Sequence, residues 1–320
     1  MNPHHWQASA TLETAKRRAR LLAMIREYFA SEDVLEVQTP CLSRAAVSDR
    51  HIESIGAVYG RQAGFLRTSP EYAMKRLLAS GYPDIFEVGP VFRDGEQGRN
   101  HQPEFQMIEW YRRDFSLEDM IDDTLALIST LLDTPDSALH QRLSPPAKIR
   151  YDEAMKAACG VTSNTKLSDL SALLDNDMAQ SLGNDRDAVL DIVFDQCVAQ
   201  HFAADRLTVV THYPSSQAAL ANICPETSRA LRFEIYFGSR ELANGFVELQ
   251  DAREQAARFE RDQSIRLQDG LPIRPLDQAF LSALVSGLPA CAGVAVGLER
   301  LLMLHSGQEN IQNVVSFIAD

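Results

Sequence analysis

The sequence predicts an α+β fold, an antiparallel sheet flanked by helices, and three observations carry that expectation. Residues 86–92 and 105–110 are apolar, strand-like segments that bracket a polar loop containing glycine, the pattern of a long hairpin. Residues 233–237 and 240–249 bracket Gly238-Ser239, a two-residue turn of the kind that closes β-hairpins. Leu21, Met24, Ile25, Tyr28 and Phe29 recur at i, i+3, i+4, i+7 and i+8. Leu117, Met120, Ile121, Leu125, Ile128 and Leu132 form a second such stripe, so helices cover the sheet.

Taken in order, residues 1–15 read as an N-terminal extension, since His4-His5-Trp6 and its neighbours show no periodicity. A helix follows from Lys16, then a strand over 34–40 stopped by Pro40. Residues 44–64 carry mixed turn chemistry, and a helix runs from Tyr72 to about Ala79. The proline-containing stretch 134–147 reads as a connector. It opens a mostly helical insertion over about 134–206, broken at Gly160 and Gly183. Strands resume at 207–211, helices cover 252–268 and 276–286, and 291–303 reads as strand, glycine turn, helix. Residues 16–320 thus form one domain carrying an insertion.

The chain has 320 residues, 45% apolar and 23% charged, enough material for a large core. Its net charge of −13 argues against the broad positive field used for non-specific nucleic-acid binding. The basic run Lys16-Arg17-Arg18-Ala19-Arg20 reads as a solvated helix start. Five cysteines, at 41, 159, 197, 224 and 291, show no metal-site spacing and read as structural thiols of a reducing compartment. No segment resembles a signal peptide or reaches the ~18 apolar residues of a membrane helix. The expectation is a cytoplasmic protein with no membrane partner.

The first hairpin loop is cationic. Arg93, at the strand end, can grip a phosphate with two parallel hydrogen bonds and neutralise charge developing there. Arg99 and His101, beyond the glycine-containing tip, can reach outer phosphates. In the second hairpin the turn places Glu234 opposite position 243, with Glu241 one diagonal step away on the same face. Two carboxylates that close repel unless a cation lies between them, and Mg²⁺ shared with nucleotide phosphates is the usual solution. Asn244, Phe246 and Glu248 fall at i, i+2 and i+4 and line one strand face. An amide, an aromatic wall and an acid suit an amino acid whose side chain ends in a cation. Strand parity puts Glu241 opposite Glu248, so a bulge or kink is expected near Gly245.

In this order the segments resemble the three motifs of class II aminoacyl-tRNA synthetases. The first helix, strand and Pro40 resemble motif 1, which builds that family's homodimer interface. The hairpin loop ending in His101-Gln102-Pro103-Glu104-Phe105 resembles motif 2 of the lysyl enzymes. Gly293-Val294-Ala295-Val296-Gly297-Leu298-Glu299-Arg300 resembles motif 3, and the strand from Glu241 to Leu249 resembles the lysine-pocket strand. The resemblance implies the class II catalytic fold, with Arg93 and Arg300 as catalytic arginines. It implies ATP contacts at Arg93, Asp94, Gly95, Glu96, Arg99, His101, Gln102, Phe105, Glu241, Leu242, Gly297 and Arg300. It implies Mg²⁺ at Glu234 and Glu241, and a lysine pocket formed by Ser69, Pro70, Glu71, Tyr111, Asn244, Phe246, Glu248 and Ala295. Two positions depart from the pattern: Gly95 stands where a glutamate usually meets the adenine amine, and Gln102 replaces an asparagine.

Too few residues precede the first helix to form the anticodon-reading domain of a lysyl-tRNA synthetase. This shortened form resembles the elongation factor P–lysine ligase family. Those lysyl-tRNA synthetase paralogues use ATP to activate lysine, preferably (R)-β-lysine, and join it to a lysine side chain of elongation factor P. Ala295 in place of glycine and Ser69 in place of alanine support that branch, as does the acidic charge balance. The expected partners are therefore elongation factor P, the diamino acid and a second copy of the chain through residues 16–40, with no stable tRNA binding. The alternatives are a truncated lysine–tRNA ligase, an ammonia-dependent asparagine synthetase, opposed by Glu248, and a non-enzymatic paralogue, opposed by the retained Arg93, Glu234, Glu241 and Arg300.

Overall fold

The structure, a computed structural model, describes residues 6–49 and 51–318. The expected extension at 1–15 falls partly outside these residues, at 1–5. Within them, Ser9 and Ala10 donate backbone N–H groups to Ser316 and Val315 (2.8 and 3.1 Å). Helix α1 (Leu12–Ser31) starts four residues before Lys16, because the Thr11 hydroxyl accepts the Thr14 N–H and caps it.

Strands β1 (Leu35–Glu36) and β2 (Leu42–Ser43) are short. β3 (Gly56–Tyr59) and β4 (Gln62–Leu66) precede α2 (Glu71–Ala79), and β5 (Ile85–Phe92) and β6 (Glu104–Arg113) form the first long hairpin. After α3 (Leu117–Leu132) come β7 (Ser144–Arg150) and the insertion helices α4 (Tyr151–Cys159), α5 (Leu167–Ser171), α6 (Asn176–Leu182) and α7 (Arg186–Val193). Then follow β8 (Arg206–Pro214), β9 (Ile223–Cys224), β10 (Arg229–Phe237), β11 (Arg240–Val247), α8 (Ala252–Gln268), α9 (Gln278–Gly287), β12 (Cys291–Gly297) and α10 (Leu298–Ser306).

The main sheet runs β1-β5-β6-β12-β11-β10-β8-β7, with β9 on β10. Its six central strands are antiparallel, as expected, while the two end pairs, β1 with β5 and β7 with β8, are parallel. Alternation along each strand divides the sheet into two faces. Ile108, Trp110, Phe233, Ile235, Ala292, Val294 and Val296 join Leu21, Ile25 and Phe29 of α1, Met120 and Leu127 of α3 and Leu301 of α10 in the largest core cluster. Glu109, Tyr111, Glu234, Asn244, Phe246, Gly293 and Ala295 line the opposite face, which is an open cleft. The insertion helices pack a second core against Val210, Tyr213, Ala230 and Tyr236.

Two expectations change. Residues 44–64 do not wander: β3 and β4 form a hairpin whose turn, Gly60-Arg61, has positive φ at both residues (53° and 72°), and β2 completes a second sheet. The proline-rich connector contains β7, where Pro145 and Pro146 are tolerated because the strand lies at the sheet edge.

Candidate active site

The cleft encloses about 470 Å³. It is lined by Ser69, Pro70, Glu71, Arg93, Glu96, His101, Gln102, Phe105, Tyr111, Glu234, Glu241, Leu242, Asn244, Phe246, Glu248, Ala295, Gly297 and Arg300, all singled out from sequence. Asp94, Gly95 and Arg99 stand outside its lining. Asp94 donates its N–H to Glu53 O (2.8 Å), and Arg99 turns to Glu309. Gly95 takes a left-handed φ of 74°, and the following Glu96 faces the cleft. The acid displaced by one position in sequence therefore still lines the cleft beside Arg93.

The hairpin register corrects one expectation. Glu234 pairs with Asn244 and not with 243, while Ile235 pairs with Ala243 and Tyr236 with Glu241. Leu242 is the extra residue of a bulge, and Leu242 and Ala243 both point into the core (2% and 1% exposed). The phase break required between Glu241 and Glu248 thus lies at Leu242, not near Gly245. It brings Glu241 onto the face of Asn244, Phe246 and Glu248. Gly245 has a different reason: a Cβ there would stand 2.5 Å from the Phe233 ring.

The arginine end of the cleft is loosely tied. The Arg93 guanidinium lies over the Phe105 ring (5.2 Å to the centroid) and 3.5 Å from Glu96. Arg300 donates to Glu241 O (2.8 Å) and lies 2.8 Å from His101 Nε2. Burial and Arg300 hold the His101 pKa down, so His101 is a neutral acceptor for that guanidinium.

Glu234 is a buttressed carboxylate. Oε2 accepts from the Tyr213 hydroxyl (2.6 Å) and from that of Tyr236 (2.5 Å), and Oε1 accepts from Arg232 (2.5 Å). Glu241 keeps a 38% exposed side chain directed at the cleft; its enclosed surroundings and the charge of Glu234 raise its pKa. Repulsion relieved by a cation is the observation on which a divalent metal fits here. Glu241 supplies the open carboxylate, and Glu234 Oε1 retains a lone pair. Among the described residues no cluster of three or more metal-ligating side chains occurs, so further ligands must come from phosphate oxygens or water.

At the far end of the cleft the expected Glu71, Tyr111 and Glu248 are tied into a buried charge network by Lys75 and Glu109, which the sequence expectations lack. Lys75 Nζ lies 2.6 Å from Glu71 Oε1 and 2.5 Å from Glu248 Oε2. The Tyr111 hydroxyl donates to Glu109 Oε1 (2.7 Å). Burial and the neighbouring Glu71 charge push the Glu109 pKa up to about 8, and burial also raises Glu248 against the pull of Lys75. Gly293 opens this floor, because a Cβ there would lie 2.3 Å from the Tyr111 ring and 2.7 Å from Glu248 Oε1. The missed residues Lys75, Glu109 and Arg232 had one available signal. Lys75 stands four residues after Glu71 on a helix face shared with the buried Met74 and Leu78.

The sequence profile of the tRNA synthetases class II (D, K and N) matches residues 4–320. Two similar curated proteins are each called elongation factor P–(R)-beta-lysine ligase, one from Salmonella dublin and one from Salmonella paratyphi B. Each is 40% identical over 326 aligned positions that cover 98% of both chains. The chain therefore belongs to the class II tRNA-synthetase family of the D, K and N group.

Proposed function

We propose that this protein is an ATP-dependent ligase that activates lysine, preferably (R)-β-lysine, as an acyl-adenylate and transfers it to a lysine amine of elongation factor P. The observation that carries the reading is the cleft's polarity. Arginines and a histidine stand at one end, and the buried Glu109 and Glu248 with the half-buried Glu71 stand at the other. A diamino acid placed between them sets its ammoniums against the acids and its carboxylate toward the arginines. Full-length similarity to proteins bearing the ligase name supports the acceptor.

The substrate carboxylate attacks the α-phosphorus of ATP, the bond to the β,γ-phosphates breaks, and pyrophosphate leaves. Arg93 stabilises the charge gathered on the phosphoryl oxygens, and Arg300 would cap the adenine. Mg²⁺ held by Glu241 and Glu234 would neutralise phosphate charge. Glu96 and Phe105, which line the same end, would meet the adenine. A neutral amine of the acceptor then attacks the acyl carbon, an amide forms, and AMP and a proton are released.

We infer a cytoplasmic homodimer. No helix among the described residues is long and apolar enough to cross a membrane, and the five cysteines are free. β1 ends the sheet with Leu35 45% exposed, a surface suited to a second copy of residues 16–40. The deciding experiment incubates the protein with ATP, β-lysine and either elongation factor P or bulk tRNA, followed by intact mass. The expected result is one β-lysyl addition on the protein acceptor. Label on tRNA alone would overturn the reading in favour of a lysine–tRNA ligase.

A further inference from the structure

The acid end of the cleft contains a cation that the substrate contacts leave without a task. Lys75 is 1% exposed, and burying an ammonium is costly unless it is well paired. A pair four residues apart on a helix needs only Glu71. The second contact, to Glu248, reaches across the cleft floor to the segment after β11, and Phe280 of α9 covers the stem, 5.8 Å from Nζ to the ring centroid. Glu248 gives one oxygen to Lys75; its other, Oε1, is buried beside Gly293 with no hydrogen-bond partner among the described residues.

The floor thus holds three carboxyl groups, Glu71, Glu109 and Glu248, around one ammonium, and burial pushes Glu109 up to about 8, which keeps it largely protonated at pH 7. Tyr111 of β6, Cys291 of β12 and Tyr72 of α2 are all raised by burial and stay neutral, and Asp49, Asp262 and Asp277 lie around Tyr72. Buried carboxylates without a cation take up protons, and a protonated acid cannot hold an ammonium by charge. Burial opposes the charge on Lys75 itself, but Glu248 and Glu71 more than offset this and its pKa is raised.

We propose that Lys75 is a specificity-determining residue: paired at once with Glu71 and Glu248, it fixes both acids in place before substrate arrives, so that they meet the ammoniums of a diamino acid without rearranging. This rests on the diamine reading of the cleft given above. One oxygen of each acid is committed to Lys75, and the remaining oxygens face the incoming ammoniums.

The test is pyrophosphate exchange driven by α-lysine or β-lysine between pH 6.5 and 9, on wild type, Lys75→Met, Lys75→Gln and Lys75→Arg. Lys75→Met should raise the KM for the diamino acid at least tenfold at pH 7, with kcat within threefold. Lys75 draws down the Glu248 pKa that burial raises, so the deficit should shrink as pH rises and Glu248 loses its proton. Lys75→Arg keeps a cation between Glu71 and Glu248 and should recover most of the loss. If Lys75→Met does not fold, Lys75→Gln takes its place. A KM deficit independent of pH, or Lys75→Arg no better than Lys75→Met, overturns the proposal. Wild type that exchanges with no diamino acid removes the functional reading itself. Wild-type exchange beside an unchanged KM in Lys75→Met removes only this inference.

Discussion

The two ends of the cleft differ in how they hold charge. At the floor, Lys75, Glu109 and Glu248 are 1–3% exposed, and the contacts among Lys75, Glu71, Glu109, Tyr111 and Glu248 span only 2.5–2.7 Å. At the arginine end, Arg93 to Glu96 and Arg300 to the Glu241 carboxylate are each 3.5 Å, with the four side chains 23–38% exposed. A close, dry network is organised before its ligand arrives, whereas long ion pairs open to solvent are screened and easily exchanged for phosphate. Under the proposed function, amino-acid choice is therefore built into the folded protein, and nucleotide binding completes the other half.

Four changes break or sharpen this contrast. The largest effect is expected at the arginine end. Arg300→Ala and Glu241→Ala should each lower lysine-dependent pyrophosphate exchange by about 10²–10³ or more, with thermal stability little changed; near-normal exchange in both would sink the site assignment. At the floor, Gly293→Ala forces a methyl into Tyr111 and Glu248. Overpacking of about 1–3 kcal/mol should raise the KM for the diamino acid roughly ten- to a hundredfold while the KM for ATP stays near wild type. Equal losses for both substrates would show that the two ends are not separable. Ala295→Gly removes a methyl and should shift preference toward α-lysine over β-lysine by a few-fold, at the low end of the ~1–3 kcal/mol attached to one such group; the ratio of the two kcat/KM values is the measurement.

The smallest effect is on stability. The Glu109 pKa is raised to about 8, so the folded protein binds more protons than the unfolded chain between the ordinary carboxylate range and that value. Stability from this group is full below that range and is lost as pH rises toward 8. Glu109→Gln should flatten the fall in Tm over pH 5–8, by on the order of 2–4 °C. An unchanged slope would remove Glu109 as its source.

The two long hairpins and the helices of the main core were legible because their patterns are local. The stripe Leu21, Ile25 and Phe29 buries as its spacing demands, and α8 occupies residues 252–268 as expected. The small sheet was hidden because Gly60-Arg61 does not advertise a turn with two left-handed residues, and β7 because two prolines argue against a strand unless its edge position is known. For the site, strand parity signalled a missing half-turn between Glu241 and Glu248. Placing it at Leu242 needed the register against β10, which is tertiary information. Lys75 escaped notice because a helical Glu–Lys spacing usually marks a solvated face; only the approach of Glu248 makes it part of the floor.

The bulge at Leu242 makes β11 a strand with two reading frames. Ahead of it, Glu241 faces Arg300 and the proposed nucleotide end of the cleft; behind it, Asn244 and Phe246, with Glu248 just past the strand's end, line the proposed amino-acid end. Because one surplus residue absorbs the offset, the downstream frame can be rewritten without moving the upstream one. A library randomised at 244, 246 and 248 would therefore retarget the acyl donor on an intact activation machine. Deleting Leu242 would turn one of the two frames to the wrong side of the sheet.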